Sequence, residues 1–352
     1  MTRICSENKL RIIRICIDFL QIILIFKYRG FLKMKRRDIF LGLGAGLLVA
    51  PLRAATVGAP LNVVATTGMI SDLISNIGGS TVDVLGIMGP GVDPHSYRHT
   101  RSDILAMTKA DVVFYHGLDL EIQMMEFFDQ LSRKSPVKAI ANGIDRSKLL
   151  SSAVKGNSFD PHVWMDPMIW AETIDPVVET LHQIMPDKLN FLRANAQNYR
   201  KELQALDVYS KQVLASVPRQ SAILVTAHDA FAYFGAAYDF EVIGVQGIST
   251  NSEAGLYRIG ELVDIIVDRN VSAVFVESSV SDRNMRALIE GSAAKGHAVS
   301  LGGELFSDAM GPAGSYEGTY IGMIDHNVTT IARALGGTVP ERGWQNKLGL
   351  GT

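Results

Sequence analysis

Cysteine is almost missing from this chain. Its 352 residues include 2 cysteines, Cys5 and Cys16, and none follows them. The bulk of the chain therefore has no disulfide, no thiolate metal site and no cysteine nucleophile. A Gly-x-x-x-x-Gly-Lys-Ser/Thr loop is also absent, which excludes ATP hydrolysis by that route, and so is a Gly-x-Ser-x-Gly nucleophile elbow. A basic surplus is lacking too. The formal charge is -2, and the 11 Lys+Arg against 3 Asp+Glu of residues 1–55 leave 23 basic and 33 acidic residues afterwards. That balance argues against nucleic acid as a partner and is compatible with a cationic ligand.

What is present is globular material, 47% hydrophobic and 20% charged, enough for two ordinary domains or one large one. The basic front end reads as a leader over residues 1–55. Met34-Lys35-Arg36-Arg37-Asp38 supplies a positive n-region, and Ile39 to Leu52 is the length of a signal-peptide h-region and too short to span a bilayer. Ala54 and Ala55 permit cleavage. The general secretory route is expected, with the twin-arginine route as the alternative that Arg36-Arg37 suggests. Upstream, Ile12 to Phe26 is interrupted by Arg14 and Asp18, so residues 1–33 read as a start-site artefact, a membrane anchor being the alternative. With no cysteine after the h-region, the sequence predicts a soluble periplasmic protein and not a lipoprotein.

From Leu61 onward short apolar runs alternate with helical patterns, which predicts α/β architecture with parallel strands. Strands are expected near 61–65, 82–87, 111–115 and 137–141, with helices over 71–77, 101–109 and 121–132 between them. After Pro186 the stretch 187–217 has no proline or glycine, and Leu192, Tyr199, Leu203, Leu206 and Val213 recur at helical spacings. This is read as one long connecting helix that Pro218 stops. Strands near 222–226, 241–245, 272–276 and 297–301 then alternate with helices near 229–238, 254–269, 281–293 and 318–335. Ser252 and Ser281 are the expected N-caps of two of these. Two α/β lobes follow, 56–186 and 218–352, joined by the helix.

The chemistry concentrates where such sheets bind ligands, after the carboxyl ends of strands. Asp160-Pro161-His162 and Asp93-Pro94-His95 each present an imidazole from a turn stiffened by proline. His228 follows the run Ile223 to Thr226, Glu277 follows Ala273 to Val276, and Asp308 lies beyond the last strand. Imidazole and carboxylate ligands without thiolate suit zinc, manganese or iron. His99 is expected at a surface or channel rim. His116, His182, His297 and His326 read as ordinary residues, and Trp164 and Trp170 as packing. The glycines Gly302-Gly303 and Gly311 to Gly314 are expected in turns.

Four stretches carry a resemblance: Asp93-Pro94-His95, Asp160-Pro161-His162-Val163-Trp164, Thr226-Ala227-His228-Asp229-Ala230-Phe231-Ala232-Tyr233-Phe234 and Gly302-Gly303-Glu304-Leu305-Phe306-Ser307-Asp308-Ala309-Met310-Gly311. From about Leu61 to Leu335 the chain resembles the periplasmic metal-binding receptors of zinc and manganese ABC importers, in their TroA-like branch. The resemblance implies two α/β lobes joined by a long rigid helix, with Mn2+ or Zn2+ held between them. It implies His95 and His162 as ligands from the first lobe and its edge, and His228 and Asp308 from the second, with Asp308 and not Glu277 as the carboxylate. It also implies a monomeric, non-enzymatic carrier that delivers its metal to a permease with a separate ATPase. The segment between His95 and His162 lacks the long His- and acid-rich loop common in the zinc-specialised branch, which favours manganese. Competing readings are a secreted metallohydrolase using the same residues, with Asp229 or Glu277 as base, and a surface adhesion protein. Since imidazoles must be neutral to bind metal, affinity is expected to fall below about pH 6.5.

Overall fold

In the computed structural model, which describes residues 59–152 and 158–349, four parallel strands form the first sheet: β1 (Leu61–Ala65), β2 (Val82–Gly86), β3 (Val112–Tyr115) and β4 (Val137–Ala139), in the order β2-β1-β3-β4. Val63 at the centre of β1 stands opposite Val84 on one side and Val112 on the other. Parallel neighbours need crossovers. These contain α1 (Gly68–Gly78), α2 (Arg101–Lys109) and α3 (Met125–Leu131). Helix α2 coincides with its expected span, and a capping box fixes its start. The Thr100 hydroxyl accepts from the Asp103 N–H at 3.3 Å, and the Asp103 carboxylate accepts from the Thr100 N–H at 2.6 Å. Helix α3 starts later than the expected residue 121. Glu121 is turned into the interior, where Oε1 accepts from the Thr66 hydroxyl and the His116 N–H, both at 2.7 Å, and a 3-10 turn follows it.

The middle of the chain is helical. Asp166 caps the short α4 (Pro167–Trp170) by accepting from the N–H groups of Met168 and Ile169. Next come α5 (Ile174–Ile184) and α6 (Leu189–Leu214), whose 26 residues span about 39 Å. Helix α6 is shorter at both ends than the expected 187–217. Lys188 belongs to a preceding 3-10 turn, and Ala215 is already the C-cap. Its buried stripe of Leu192, Ala196, Tyr199, Leu203, Leu206, Ser210 and Val213 is the one that the spacing shows.

Two parallel pairs follow, β5 (Ile223–His228) with β6 (Glu241–Gln246) and β7 (Ala273–Glu277) with β8 (Ser300–Leu305), and β5 lies beside β7. Their helices are α7 (Ala232–Tyr238), α8 (Leu256–Asp268), α9 (Arg283–Ala294) and α10 (Tyr320–Ala334). Strand β8 begins three residues later than expected and takes in Gly302 and Gly303, which were expected in a turn. Glycine is required there because a Cβ on Gly302 would stand 2.5 Å from the Phe275 ring, while Gly303 adopts φ +138 beside the irregularity between Val274 and Phe275. The expected N-caps shift as well. Gly255 caps α8 in place of Ser252, and Asp282 occupies the cap of α9 while its carboxylate pairs with Arg286.

One hydrophobic core joins the two lobes through α6. It runs from Val63 and Ile70 through Leu192, Leu203 and Leu206 to Met323, Ile324 and Ile331 of α10. Helix α6 packs against α1 and α5 of the first lobe and against α10 of the second. The lobe-joining helix is therefore seated in both cores. The leader assigned to residues 1–55 lies outside the described residues.

Leu203 is fully buried at the middle of this shared face. Leu203→Ala removes atoms that no neighbour can replace and is expected to lower stability by about 2–5 kcal/mol. Urea unfolding of the metal-free protein should show this as a lower midpoint with an unchanged slope.

Candidate metal centre

Strand geometry sets the first two groups of the site. His228 is the last residue of β5 and Glu277 the last of the adjacent β7, so the two meet side by side at the carboxyl end of the sheet. Glu277 Oε1 accepts from the His228 N–H at 2.9 Å, and Oε2 accepts from its ring Nδ1 at 2.5 Å. With Nδ1 occupied as a donor, Nε2 is left to point its lone pair inward. His162 is fixed in the same way. The Asp160 Oδ1 atom accepts from the His162 N–H at 2.9 Å and from its Nδ1 at 2.7 Å.

His95 repeats the tripeptide but not the bonding. Asp93 Oδ1 accepts from the His95 N–H at 2.8 Å, yet Oδ2 takes the Ser96 hydroxyl at 2.8 Å and the Thr250 hydroxyl at 2.6 Å, and the His95 ring has no carboxylate on Nδ1 among the described residues. Asp308 lies three residues beyond β8. One ligand atom from each of His95, His162, His228 and Asp308 falls within 4.8 Å of the others, and all four residues are buried. Glu277 stands behind His228 and Asp229 contributes nothing to this cluster.

The distances fit a single cation. Donors about 2.1 Å from one ion at the corners of a tetrahedron stand about 3.4 Å apart. Here His95 Nε2 is 3.1 Å from His162 Nε2 and 3.9 Å from Asp308 Oδ2, His162 Nε2 is 3.4 Å from Asp308 Oδ1, and His228 Nε2 is 3.2 Å from Asp308 Oδ2. Among the described residues, His228 Nε2 and both Asp308 oxygens have no hydrogen-bond partner. A buried carboxylate with no aligned donor is unfavourable unless a positive charge faces it. Both its oxygens face imidazoles, so Asp308 can supply one donor or two.

The same fields govern the protons. Burial alone would lower the pKa of His162, but Asp160 and then Asp308 overcome it and raise the group to about 9. Burial likewise opposes a proton on His228, and Glu277 with Asp308 holds that group well above the ordinary range. His95 is pushed down to about 4 by burial, which Asp308 only partly offsets. Burial would raise Asp308, yet His228 and His162 hold it well below the usual carboxylate range. At neutral pH the metal-free cluster thus keeps protons on His162 and His228.

Several residues support this site without belonging to the cluster. His116, read from sequence as an ordinary strand-end residue, donates from Nε2 to the Pro161 carbonyl at 2.7 Å, directly before His162. Trp164 stands edge-on to His162 and donates its indole N–H to the Ser307 carbonyl at 2.8 Å, while Tyr320 and Tyr233 donate to the carbonyls of Trp164 and Asp160. The 160–164 loop is therefore tied to both lobes. His99 packs against Phe127, and His297 and His326 bond to the carbonyls of Val271 and Glu304. None of them reaches the cluster. No sequence signal marked Asp160 as the partner of its own histidine ring, since Asp93 in the same tripeptide bonds elsewhere. For Glu277 the signal was its place at the end of a strand.

Comparison with known proteins agrees with the fold. The family described as "Zinc-uptake complex component A periplasmic" matches residues 63–334. The manganese-binding lipoprotein MntA of Bacillus subtilis (strain 168) is 46% identical over 275 residues, covering 78% of this chain and 90% of MntA. The zinc-binding protein TroA of Treponema pallidum (strain Nichols) is 45% identical over 282 residues, 80% of this chain and 91% of TroA. The solved structure of the periplasmic zinc-binding TroA from Treponema pallidum superposes with a TM-score of 0.76 at 44% identity, over 78% of this chain and 99% of that one. One expectation falls here. The chain was read as not a lipoprotein, but relatives including MntA are named lipoproteins. The lack of cysteine after the 34–55 signal carries that expectation, whereas Cys5 and Cys16 both precede it. With the family matched over most of its length and a TroA-like fold around a three-histidine, one-aspartate cluster, the chain belongs to the periplasmic zinc-uptake component A family.

Proposed function

We propose that this protein is the extracytoplasmic receptor of an ABC importer, which captures manganese or zinc as a divalent ion and passes it to a membrane permease driven by a separate ATPase. The observation that carries the reading is the convergence of three imidazoles and one carboxylate, all buried, at the spacing of a single ion. In this reading His95 and His162 come from the first lobe (56–186) and its edge, and His228 and Asp308 from the second (218–352). Helix α6 joins them. The protein acts as a monomer with no nucleic-acid partner.

Carriage fits this geometry better than catalysis. Four ligands with buried side chains would complete a tetrahedral shell without a substrate in it. Three imidazoles with a carboxylate bind Zn(II) more strongly than Mn(II) on the Irving-Williams order. Bidentate binding by Asp308, whose two oxygens both face the imidazoles, would raise the coordination number and favour manganese. Competitive Mn(II) and Zn(II) titration of stripped protein, with elemental analysis of protein from its own cell envelope, tests the reading. A protein that binds neither ion would defeat it.

His162→Ala is expected to abolish high-affinity binding while the metal-free protein keeps its fold by circular dichroism. Glu277→Gln should weaken binding by about 10–100-fold, because the ring it orients loses its charged partner.

The proton occupancy yields a further expectation. A group whose pKa is raised in the metal-free site must lose its proton to the incoming ion, so affinity rises with pH up to the raised value. For His162 that value is about 9, and His228 lies well above the ordinary range. The window therefore sits above the pH 6.5 expected for free imidazoles, because Asp160 and Glu277 stabilise the imidazolium forms. Uptake at pH 7 should release protons, and affinity should fall as the pH is lowered from 8 to 6. Calorimetry in buffers of different ionisation enthalpy measures the release, and a value near zero contradicts the assignment.

A further inference from the structure

The four ligands are not held alike. His228 ends a fully buried strand and is gripped twice by Glu277. His162 is gripped twice by Asp160, on a loop that His116, Tyr233 and Tyr320 also hold. His95 sits in the irregular segment between β2 and α2. Its side chain is 4% exposed, where those of His162, His228 and Asp308 are at 0%. Of the four side chains it alone is not fully enclosed.

What holds the His95 segment against the second lobe is a small set of contacts. Asp93 gathers its own turn through the His95 N–H and the Ser96 hydroxyl, and Thr250 donates to the same carboxylate from the stretch between β6 and α8. Asn251 donates to the His95 carbonyl at 3.4 Å. Gly91, at φ +71, brings the segment close enough that a Cβ would stand 3.3 Å from the Ser278 carbonyl oxygen. Among the described residues, the Thr250 bond is the shorter of the two side-chain bonds that reach the 93–95 turn from the second lobe, and it ends on a charged acceptor, the stronger class.

We propose that the Thr250–Asp93 hydrogen bond is a latch that holds the His95 segment closed, so that His95 engages the ion last and leaves it first. Thr250 then sets the rate of metal release without touching the metal. The proposal rests on the receptor reading above. It assigns a positioning role to a residue outside the ligand set, and it sets the two rings gripped by carboxylates, His162 and His228, against a movable His95 arm.

The test is release kinetics from metal-loaded full-length protein, Zn(II) or Mn(II), mixed with excess chromogenic chelator. Thr250→Val, which keeps the shape and removes the hydroxyl, should release metal about tenfold faster. Thr250→Ser should behave as wild type, which separates loss of the hydroxyl from a packing defect. His95→Ala should release faster still, and adding Thr250→Val to it should change nothing further, because the latch acts only through His95. Equal release from Thr250→Val and wild type overturns the latch. So does an independent acceleration by Thr250→Val in the His95→Ala background. A wild type that takes up neither metal would instead refute the receptor reading, and the latch with it.

Discussion

Among the described residues, Asp308 is a carboxylate buried without a hydrogen-bond partner, and the rest of the site answers the demand this creates. Its charge cannot be solvated, so it must be met by positive charge at the centre of the cluster. Protons on two imidazoles or one divalent ion supply the same charge there. The strand ends and turns matter because they bring the ring nitrogens to within 3.2–3.9 Å of that carboxylate. Asp160 and Glu277 matter because they turn two of those nitrogens inward and keep the rings basic.

The architecture was legible where local signals and burial point the same way. The apolar runs that became β1 and β5, the 101–109 span of α2 and the periodic stripe of α6 fall close to where the residues place them. It was less legible where a side chain has a distant partner. Glu121 delays α3 because Thr66 and the His116 backbone draw it inward, and the sequence separation to Thr66 is 55 residues. Gly302 looks like a turn until the Phe275 ring occupies the space its side chain would need.

The candidate site divides in the same way. The motifs carry the four cluster residues, but not the difference between the two Asp-Pro-His turns. Asp160 uses one oxygen for both the backbone and the ring of its own histidine, whereas Asp93 turns an oxygen outward to Thr250, 157 residues away. Proline stiffens both turns equally, so the tripeptide cannot say which histidine is fixed. The role of Glu277 was open for a related reason. A carboxylate at a strand end can bind metal or orient a ligand, and only the neighbouring strand, which puts His228 beside it, decides.

Helix α6 is seated in the cores of both lobes through a single face. One residue added within it would turn everything beyond by about 100° and advance it by about 1.5 Å, so the two lobes could no longer rest on the same stripe. Seven residues would nearly restore the face but would separate the lobes by roughly 10 Å, several times the spacing of the ligand atoms. Neither insertion leaves the cluster intact. The narrow distance tolerance of metal coordination is thereby passed on to chain length, in a helix that contributes no ligand of its own.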